Sequence, residues 1–315
     1  MIALRDALAK YIAVRRALGT QLRDAAVTLS HFVEFLEGEG AESVTTQLAL
    51  RWARKPEHAQ RTTWAARLSL VRQFAAWLSV IDPRTEVPPR RIIRACRRRN
   101  TPHIFSEQEI TRLMDEAGSL PSPTGLRALT YVTLIGLLAS TGLRPGEALA
   151  LDTPDVDLQA GVLTICQTKF GKSRFVPVED STRVALAHYA EKRDRLCPLR
   201  RTNAFLICER GTRLRGAIAR QTFGRISCSI GLRAPTGARR VGRGPRLRDF
   251  RHSFATKRLV EWYHAGVDVQ RELPKLSTYL GHVQVADTYW YIQAVPELLQ
   301  LATERLSTRE PGGPR

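Results

Sequence analysis

From Ile81 to Thr101 the chain cannot continue as helix. Pro83, Pro88 and Pro89 fix φ and remove backbone donors, and the stretch carries Arg84, Arg90, Arg91, Arg94, Arg97, Arg98 and Arg99 against only Asp82 and Glu86. Prolines interleaved with a basic run predict an extended connection that can lie along phosphates. At 315 residues the chain is long enough for two ordinary domains, one on each side of that connection. The expected layout is a first domain over 1–80, a linker over 81–103, a second domain over 104–306 and a frayed tail over 307–315.

The first 80 residues read as four helices. Leu4, Leu8, Tyr11 and Ile12 recur at helical spacing up to Gly19, and Leu22, Ala26, Leu29, Phe32, Val33 and Leu36 form a second stripe that Gly38 and Gly40 stop. A short helix near Gln47–Arg54 follows Thr45 and Thr46 as caps. In the fourth, Trp64, Leu68, Val71, Ala75 and Leu78 share one face, with Arg61, Arg67 and Arg72 placed around it. Such stripes predict a core rather than a ligand box.

The second domain opens on Ser106 and Glu109, a capping-box pair. The apolar run Leu126–Ser140 is too short to cross a membrane and fits a buried helix. It delivers Thr141-Gly142-Leu143-Arg144-Pro145-Gly146-Glu147, in which Gly142 lets the chain turn, Arg144 emerges at the end of a buried element, and Glu147 is placed to orient it. Gly161–Ile165 and Arg174–Val178 alternate as strands around a tip that carries Lys169 and Lys172. A helix and a basic loop ending in a short apolar strand are expected between Ser181 and Cys208. A mobile Arg/Gly/Pro loop is expected over 231–245, and an amphipathic helix after Val295 with Pro296 in its first turn. The architecture is therefore mainly α with a small antiparallel β-sheet.

Composition narrows the partner. A net charge of +19 and a pI near 10.6 call for a polyanion, with nucleic acid the leading candidate. With 43% hydrophobic and 25% charged residues the chain is neither disordered nor a membrane protein. Cys96, Cys166, Cys197, Cys208 and Cys228 are odd in number and contain no Cys-x-x-Cys pair, so neither zinc site nor disulfide framework is implied. The N-terminus is charged at once and lacks a signal-peptide core, and a cytoplasmic protein with reduced thiols is expected.

The chemistry concentrates between Arg246 and Tyr291. Arg246-Leu-Arg248-Asp-Phe-Arg251-His252-Ser-Phe-Ala-Thr256 is followed by Leu276-Ser-Thr-Tyr279-Leu-Gly281-His282 and then by Thr288-Tyr289-Trp290-Tyr291. A guanidinium offers a planar fork of donors to phosphate, and its charge cannot be titrated away. Imidazole can exchange a proton with a phosphoryl oxygen near neutral pH. A phenol attacks phosphorus once a cationic pocket stabilises the charge that develops. With no carboxylate cluster nearby to hold Mg²⁺, arginines take the place of a metal, and no cofactor is expected. The pattern points to covalent tyrosine attack on a phosphodiester. Tyr289 and Tyr291 are both candidates, but residues two apart on a helix face apart, so only one can meet the phosphate.

These motifs resemble the tyrosine recombinases (phage-integrase family), whose hallmark has the form His-x-x-Arg-His-x-Phe-Ala-Thr, then Leu-Gly-His, then a tyrosine nine positions after that histidine. Tyr291 stands nine positions after His282. The resemblance implies Tyr291 as nucleophile, Arg144 (from Thr-Gly-Leu-Arg-x-x-Glu) and Arg251 as the catalytic arginines, and His282 as a donor to the phosphate. It places the catalytic lysine in the hairpin, with Lys172 fitting best and Lys169 in reserve. The first hallmark histidine is replaced by Arg248, which can stabilise charge but cannot act as a base at neutral pH, leaving three outcomes open: a slower enzyme, proton transfer moved to water or His282, or a supporting role for His252. His252 is either a supporting residue or a packed helix residue.

The implied fold is an N-terminal helical DNA-clamp domain of the core-binding (SAM-like) kind plus a C-terminal α+β catalytic domain. The DNA-facing residues expected are Arg61, Arg67, Arg72, Arg90, Arg91, Arg94, Arg97, Arg98, Lys169, Arg174, Arg240 and Arg243. The implied activity is site-specific cleavage and rejoining of double-stranded DNA through a 3′-phosphotyrosine, without metal or ATP. The implied assembly is four protomers, alike or mixed with partner recombinases, on two DNA sites. The ending after Thr288 looks like that of transposon-borne members, so a link to a mobile element in a bacterial nucleoid is expected. Two alternatives stay open: an enzyme that relaxes supercoils as type IB topoisomerases do, and a DNA-binding accessory protein without cleavage.

Overall fold

A computed structural model describes residues 3–20, 22–95, 101–166, 173–234, 244–282 and 284–293. The chain divides into two compact units, Met1–Asn100 and Thr101–Arg315. The described residues form twelve α-helices and one three-stranded sheet. No helix among them is long and apolar enough to cross a membrane.

The first unit is α1 (Leu4–Ala17), α2 (Arg23–Gly38), α3 (Thr46–Arg54) and α4 (Arg61–Leu78). Their stripes meet in one core, in which Phe32 lies edge-on to Trp52 at 5.0 Å and Tyr11 edge-on to Phe74 at 5.4 Å. Thr45 caps α3 by accepting from the Leu48 amide. The proline segment departs from the extended-linker expectation over its described part. Glu86 accepts from the Thr46 amide and donates its own amide to the Val44 carbonyl. Arg72 donates to the carbonyls of Pro88 and Pro89, and Ile93 packs on the core. Residues 81–95 are therefore fastened to the first unit, because prolines that lack donors still present carbonyls that an arginine can hold.

The second unit contains α5 (Glu107–Gly118), α6 (Leu126–Thr141), α7 (Pro145–Ala150), β1 (Val156–Asp157), β2 (Val162–Ile165), β3 (Arg174–Pro177), α8 (Asp180–Leu196), α9 (Gly216–Ser229), α10 (Asp249–His264), α11 (Val269–Leu280) and α12 (Ala286–Gln293). Ser106 and Glu109 form the expected capping box of α5. Apolar α6 runs through the centre and packs against α5, α8 and α10. The sheet has order β1-β2-β3, all antiparallel, with Leu163 opposite Val176 and Ile165 opposite Arg174. Leu163 and Val176 are buried, so this face of the sheet lies on the core, and the period of two puts Arg174 on the same face as Val176. Helix α9 occupies part of a region whose sequence is hard to read. The amphipathic helix after Val295, the tail and the loop over 235–243 lie outside the described residues.

Candidate active site

Two arginines from different elements converge on the end of α11. The last carbonyls of a helix have no intrahelical partner, and Gly281, in the left-handed conformation (φ 70°), ends α11 and leaves them pointing outward. Arg251 Nη2 donates to the Leu280 carbonyl at 2.6 Å, and Arg144 Nη2 to the next carbonyl, Gly281, at 3.0 Å. The two guanidiniums are thus set side by side on consecutive peptide units, with the helix dipole favouring their charge.

Arg144 reaches this point because α6 stops at Gly142, whose φ of 61° turns the chain. Only glycine fits there: an added Cβ would lie 2.6 Å from a ring carbon of Phe254. Arg144 then becomes the N-cap of α7, where Glu147 Oε2 accepts from its backbone amide at 3.1 Å and Oε1 from its Nη1 at 2.6 Å. Arg174 holds the same carboxylate through both terminal nitrogens and also donates from Nε to the Tyr279 carbonyl at 2.9 Å. Burial pushes the Glu147 carboxyl up, but the hydrogen bonds and charges of Arg174 and Arg144 outweigh it and hold it below the usual carboxylate range.

Arg251 is 7% exposed on α10. Besides Leu280 it donates from Nη1 to the Gly142 carbonyl at 3.1 Å and from Nε to the Tyr291 hydroxyl at 3.3 Å. Burial lowers its pKa, though a guanidinium starts so high that it stays charged. Among the described residues, partners engage three of its five N–H groups, leaving two for an anion, and two of the five on the half-exposed Arg144, leaving three.

Tyr291 stands on α12, 4% exposed, as part of the buried apolar cluster of Ala255, Leu259, Val269, Leu273, Leu276 and Leu280. Its hydroxyl is 3.4 Å from His282 Nε2, and the two rings stack at 5.8 Å. His282 Nδ1 lies 2.7 Å from Thr288 Oγ1. Burial, then the charges of Arg251, Arg144 and Arg174 against that of Asp287, push His282 down to about 4, so the ring is neutral at pH 7. His252 lies edge-on to the Tyr291 ring at 5.1 Å, and its buried Nδ1 has no hydrogen-bond partner among the described residues.

The structure therefore brings together Arg144, Arg251, His282 and Tyr291, with Glu147 beneath Arg144 and His252 against the tyrosine ring. Arg248, expected among them, is the N-cap of α10 with its side chain 62% exposed and its Nε 3.9 Å from Asp249 Oδ1. Tyr289 faces away and is 47% exposed. Lys169, Lys172, Arg97, Arg98, Arg240 and Arg243 lie outside the described residues.

Three arginines expected to face DNA are engaged elsewhere. Arg174 points inward on β3 with its side chain 11% exposed. Arg67 stacks 3.7 Å over Trp52 and donates to its carbonyl, and Arg72 is held by the two proline carbonyls. In each case a planar fork finds carbonyls, a carboxylate or a ring inside its own unit before it reaches solvent. Arg61, Arg90, Arg91 and Arg94 are exposed. Sequence reading missed Thr288 as a partner of the site. Its signal was position, three residues before Tyr291 and so on the same helical face.

Residues 103–297 match the phage integrase family. The chain belongs to that family, the tyrosine recombinases. This recombinase is 44% identical over 98% of both chains to y4rB of Sinorhizobium fredii, described as an integrase/recombinase. It is 29% identical to the tyrosine recombinase XerD of Caulobacter vibrioides, over 94% of this chain and 93% of that one. Its fold matches the Tn1549 transposon integrase in complex with transposon right-end DNA, with a TM-score of 0.65 over 98% and 100% of the chains at 17% identity. It also matches a lambda integrase dimer bound to a core site, with a TM-score of 0.64 over 100% and 99% at 13% identity. As a family member the protein is an enzyme of site-specific DNA recombination.

Proposed function

We propose that this recombinase cuts and rejoins double-stranded DNA through a 3′-phosphotyrosine formed by Tyr291, leaving a free 5′-hydroxyl. The observation that carries this reading is the Tyr291 hydroxyl at 3.3 Å from Arg251 and 3.4 Å from His282, beside a second arginine hung on the adjoining peptide. Arg144 and Arg251 hold the non-bridging oxygens and take up the charge that develops on them. Lys172 protonates the leaving 5′-oxygen from the hairpin that precedes β3. The energy of the broken ester stays in the phosphotyrosine, so attack by a 5′-hydroxyl of a partner duplex completes exchange without ATP.

The charge of +19 and the DNA complex of the Tn1549 integrase support DNA as the partner, and the lambda integrase dimer on its core site supports a multimeric assembly. Four protomers on two sites, joined where needed by partner recombinases, are the working unit. We assign it to a mobile element acting on bacterial DNA in the cytoplasm, a reading supported by the likeness to a transposon integrase.

The test uses a duplex selected for binding by the full chain from a random-sequence pool, nicked at successive positions across its centre so that cleavage traps the covalent adduct. Wild type forms the adduct, and Tyr291→Phe binds the same duplex and forms none. An adduct that survives in Tyr291→Phe removes Tyr291 from the role.

A further inference from the structure

The Tyr291 hydroxyl lies between a group that can only donate and one that can accept. Arg251 Nε carries a hydrogen and no lone pair, so at 3.3 Å it gives that hydrogen to the phenol oxygen. The phenol's own proton must point elsewhere, and the acceptor in reach among the described residues is His282 Nε2 at 3.4 Å. A neutral imidazole that accepts at Nε2 carries its hydrogen on Nδ1. His282 Nδ1 is 2.7 Å from the hydroxyl of Thr288, which is fully buried. Thr288 and Tyr291 lie three positions apart on α12, so one helical face presents a hydroxyl to each nitrogen of His282, and a Thr288 oxygen that accepts there holds the ring hydrogen on Nδ1. Arg248, where the hallmark has a histidine, is exposed and cannot accept a proton.

We propose that His282 is the proton acceptor for Tyr291 during cleavage, and that Thr288 is the positioning residue that keeps His282 Nε2 free of hydrogen. The proposal rests on Tyr291 being the nucleophile. As the phenol oxygen bonds to phosphorus, its proton moves to His282 Nε2. The bond from phosphorus to the 5′-oxygen breaks, and that oxygen leaves with the proton of the hairpin lysine. His282 is now an imidazolium with a hydrogen on Nε2, ready to donate to a non-bridging oxygen. Its role as a phosphate donor thus follows the proton transfer. In the return step the 5′-hydroxyl gives its proton to the lysine and attacks phosphorus, and the departing phenolate recovers its proton from Nε2.

The surroundings fit an acceptor that substrate switches on. Arg251 on α10, Arg144 at the start of α7 and Arg174 on β3 face His282 with positive charge, Asp287 on α12 opposes them, and neutral His252 flanks the tyrosine ring. Burial, with these charges, keeps the ring unprotonated in the free enzyme. A phosphodiester seated on the arginines brings negative charge, which raises the proton affinity of His282 as the reacting group arrives.

Two measurements on the full chain test this. In the free protein, ¹⁵N spectra of the histidine rings, assigned by comparison with His282→Gln, should show His282 neutral at pH 7 with its hydrogen on Nδ1. A hydrogen on Nε2 overturns the proposal. With the nicked duplex described above, single-turnover adduct formation in His282→Gln should fall by about 100-fold at pH 7. That deficit should narrow steadily toward pH ~9, as solvent takes over removal of the phenol's proton. Thr288→Val should lower the rate about tenfold and Thr288→Ser restore it, each with DNA affinity unchanged. Parallel pH profiles for wild type and His282→Gln, with no adduct in Tyr291→Phe, overturn the acceptor role alone. An adduct in Tyr291→Phe overturns the nucleophile and the acceptor role together.

Discussion

Arg174 grips Glu147 with both terminal nitrogens, at 3.2 and 2.8 Å, while Glu147 holds Arg144 at 2.6 Å. A residue read from the sequence as facing DNA thus sets, from behind, the position of the arginine we assign to the phosphate. Arg174→Lys keeps the charge but cannot span two carboxylate oxygens and the Tyr279 carbonyl at once. Cleavage of the nicked duplex should fall about tenfold or more, equal to ~1.4 kcal/mol in the barrier, while affinity for the same duplex changes less than about threefold. A matching loss of affinity would show that Arg174 touches DNA instead.

Gly142 carries two constraints at once, a φ of 61° and the Phe254 ring against its α-carbon. Gly142→Ala should destabilise the second unit by about 1–3 kcal/mol. It should also lower cleavage, because the Gly142 carbonyl is one of the three groups that fix Arg251. Chemical denaturation and adduct formation check the two effects separately, and an unchanged unfolding midpoint would contradict the first.

The depressed pKa of His282 ties stability to pH. Unfolded, the ring titrates near 6.5; folded, near 4. Between these values the unfolded chain binds a proton that the folded one does not, so stability is fully present above pH 6.5 and is lost as pH falls toward 4. His252, which burial also lowers, adds in the same direction. The slope from His282 alone is at most about 1.4 kcal/mol per pH unit. The loss of unfolding free energy between pH 7 and pH 5 should therefore shrink in His282→Gln, and a loss equal to that of wild type refutes the assignment.

Arg61 and Arg67 lie on one helix and should behave differently. Exposed Arg61→Ala should weaken DNA binding and reduce the slope of log affinity against log salt by about 0.9 for each phosphate that Arg61 neutralises. Arg67→Ala should instead lower the unfolding temperature, because it removes a cation stacked on Trp52. Salt titrations of binding and thermal melts of the two variants decide it; a lowered salt slope in Arg67→Ala alone would reverse the roles.

The legible parts of the sequence were those in which local chemistry and burial agree. The stripes of α1–α4, the caps at Thr45 and Ser106, and the turn at Gly142 follow from spacing and residue type. Helix α9 was hidden because its buried face is Ala219, Thr222, Phe223 and Ile226, interrupted by Gly224 and weak in apolar contrast. Arg174 was open to a stricter reading, since alternation along β3 puts it on the face of buried Val176. Two features had no local signal. Arg251 bonds to a carbonyl 109 positions away, and the proline segment is held by an arginine of α4. Both depend on where backbone oxygens end up in space, which side-chain periodicity does not record.

The order of groups along the chain at Gly281 has a consequence for how the active centre can be dismantled. The carbonyls that hold the two arginines belong to positions 280 and 281, whereas His282, Thr288 and Tyr291, to which we assign the proton acceptor, its positioning hydroxyl and the nucleophile, follow them in the chain. A swing beginning at residue 282, past both carbonyls, would carry off the proposed proton-handling half in one piece and leave the two arginines on their acceptors. A copy that lent this stretch to its neighbour would hand over a nucleophile already paired with its base.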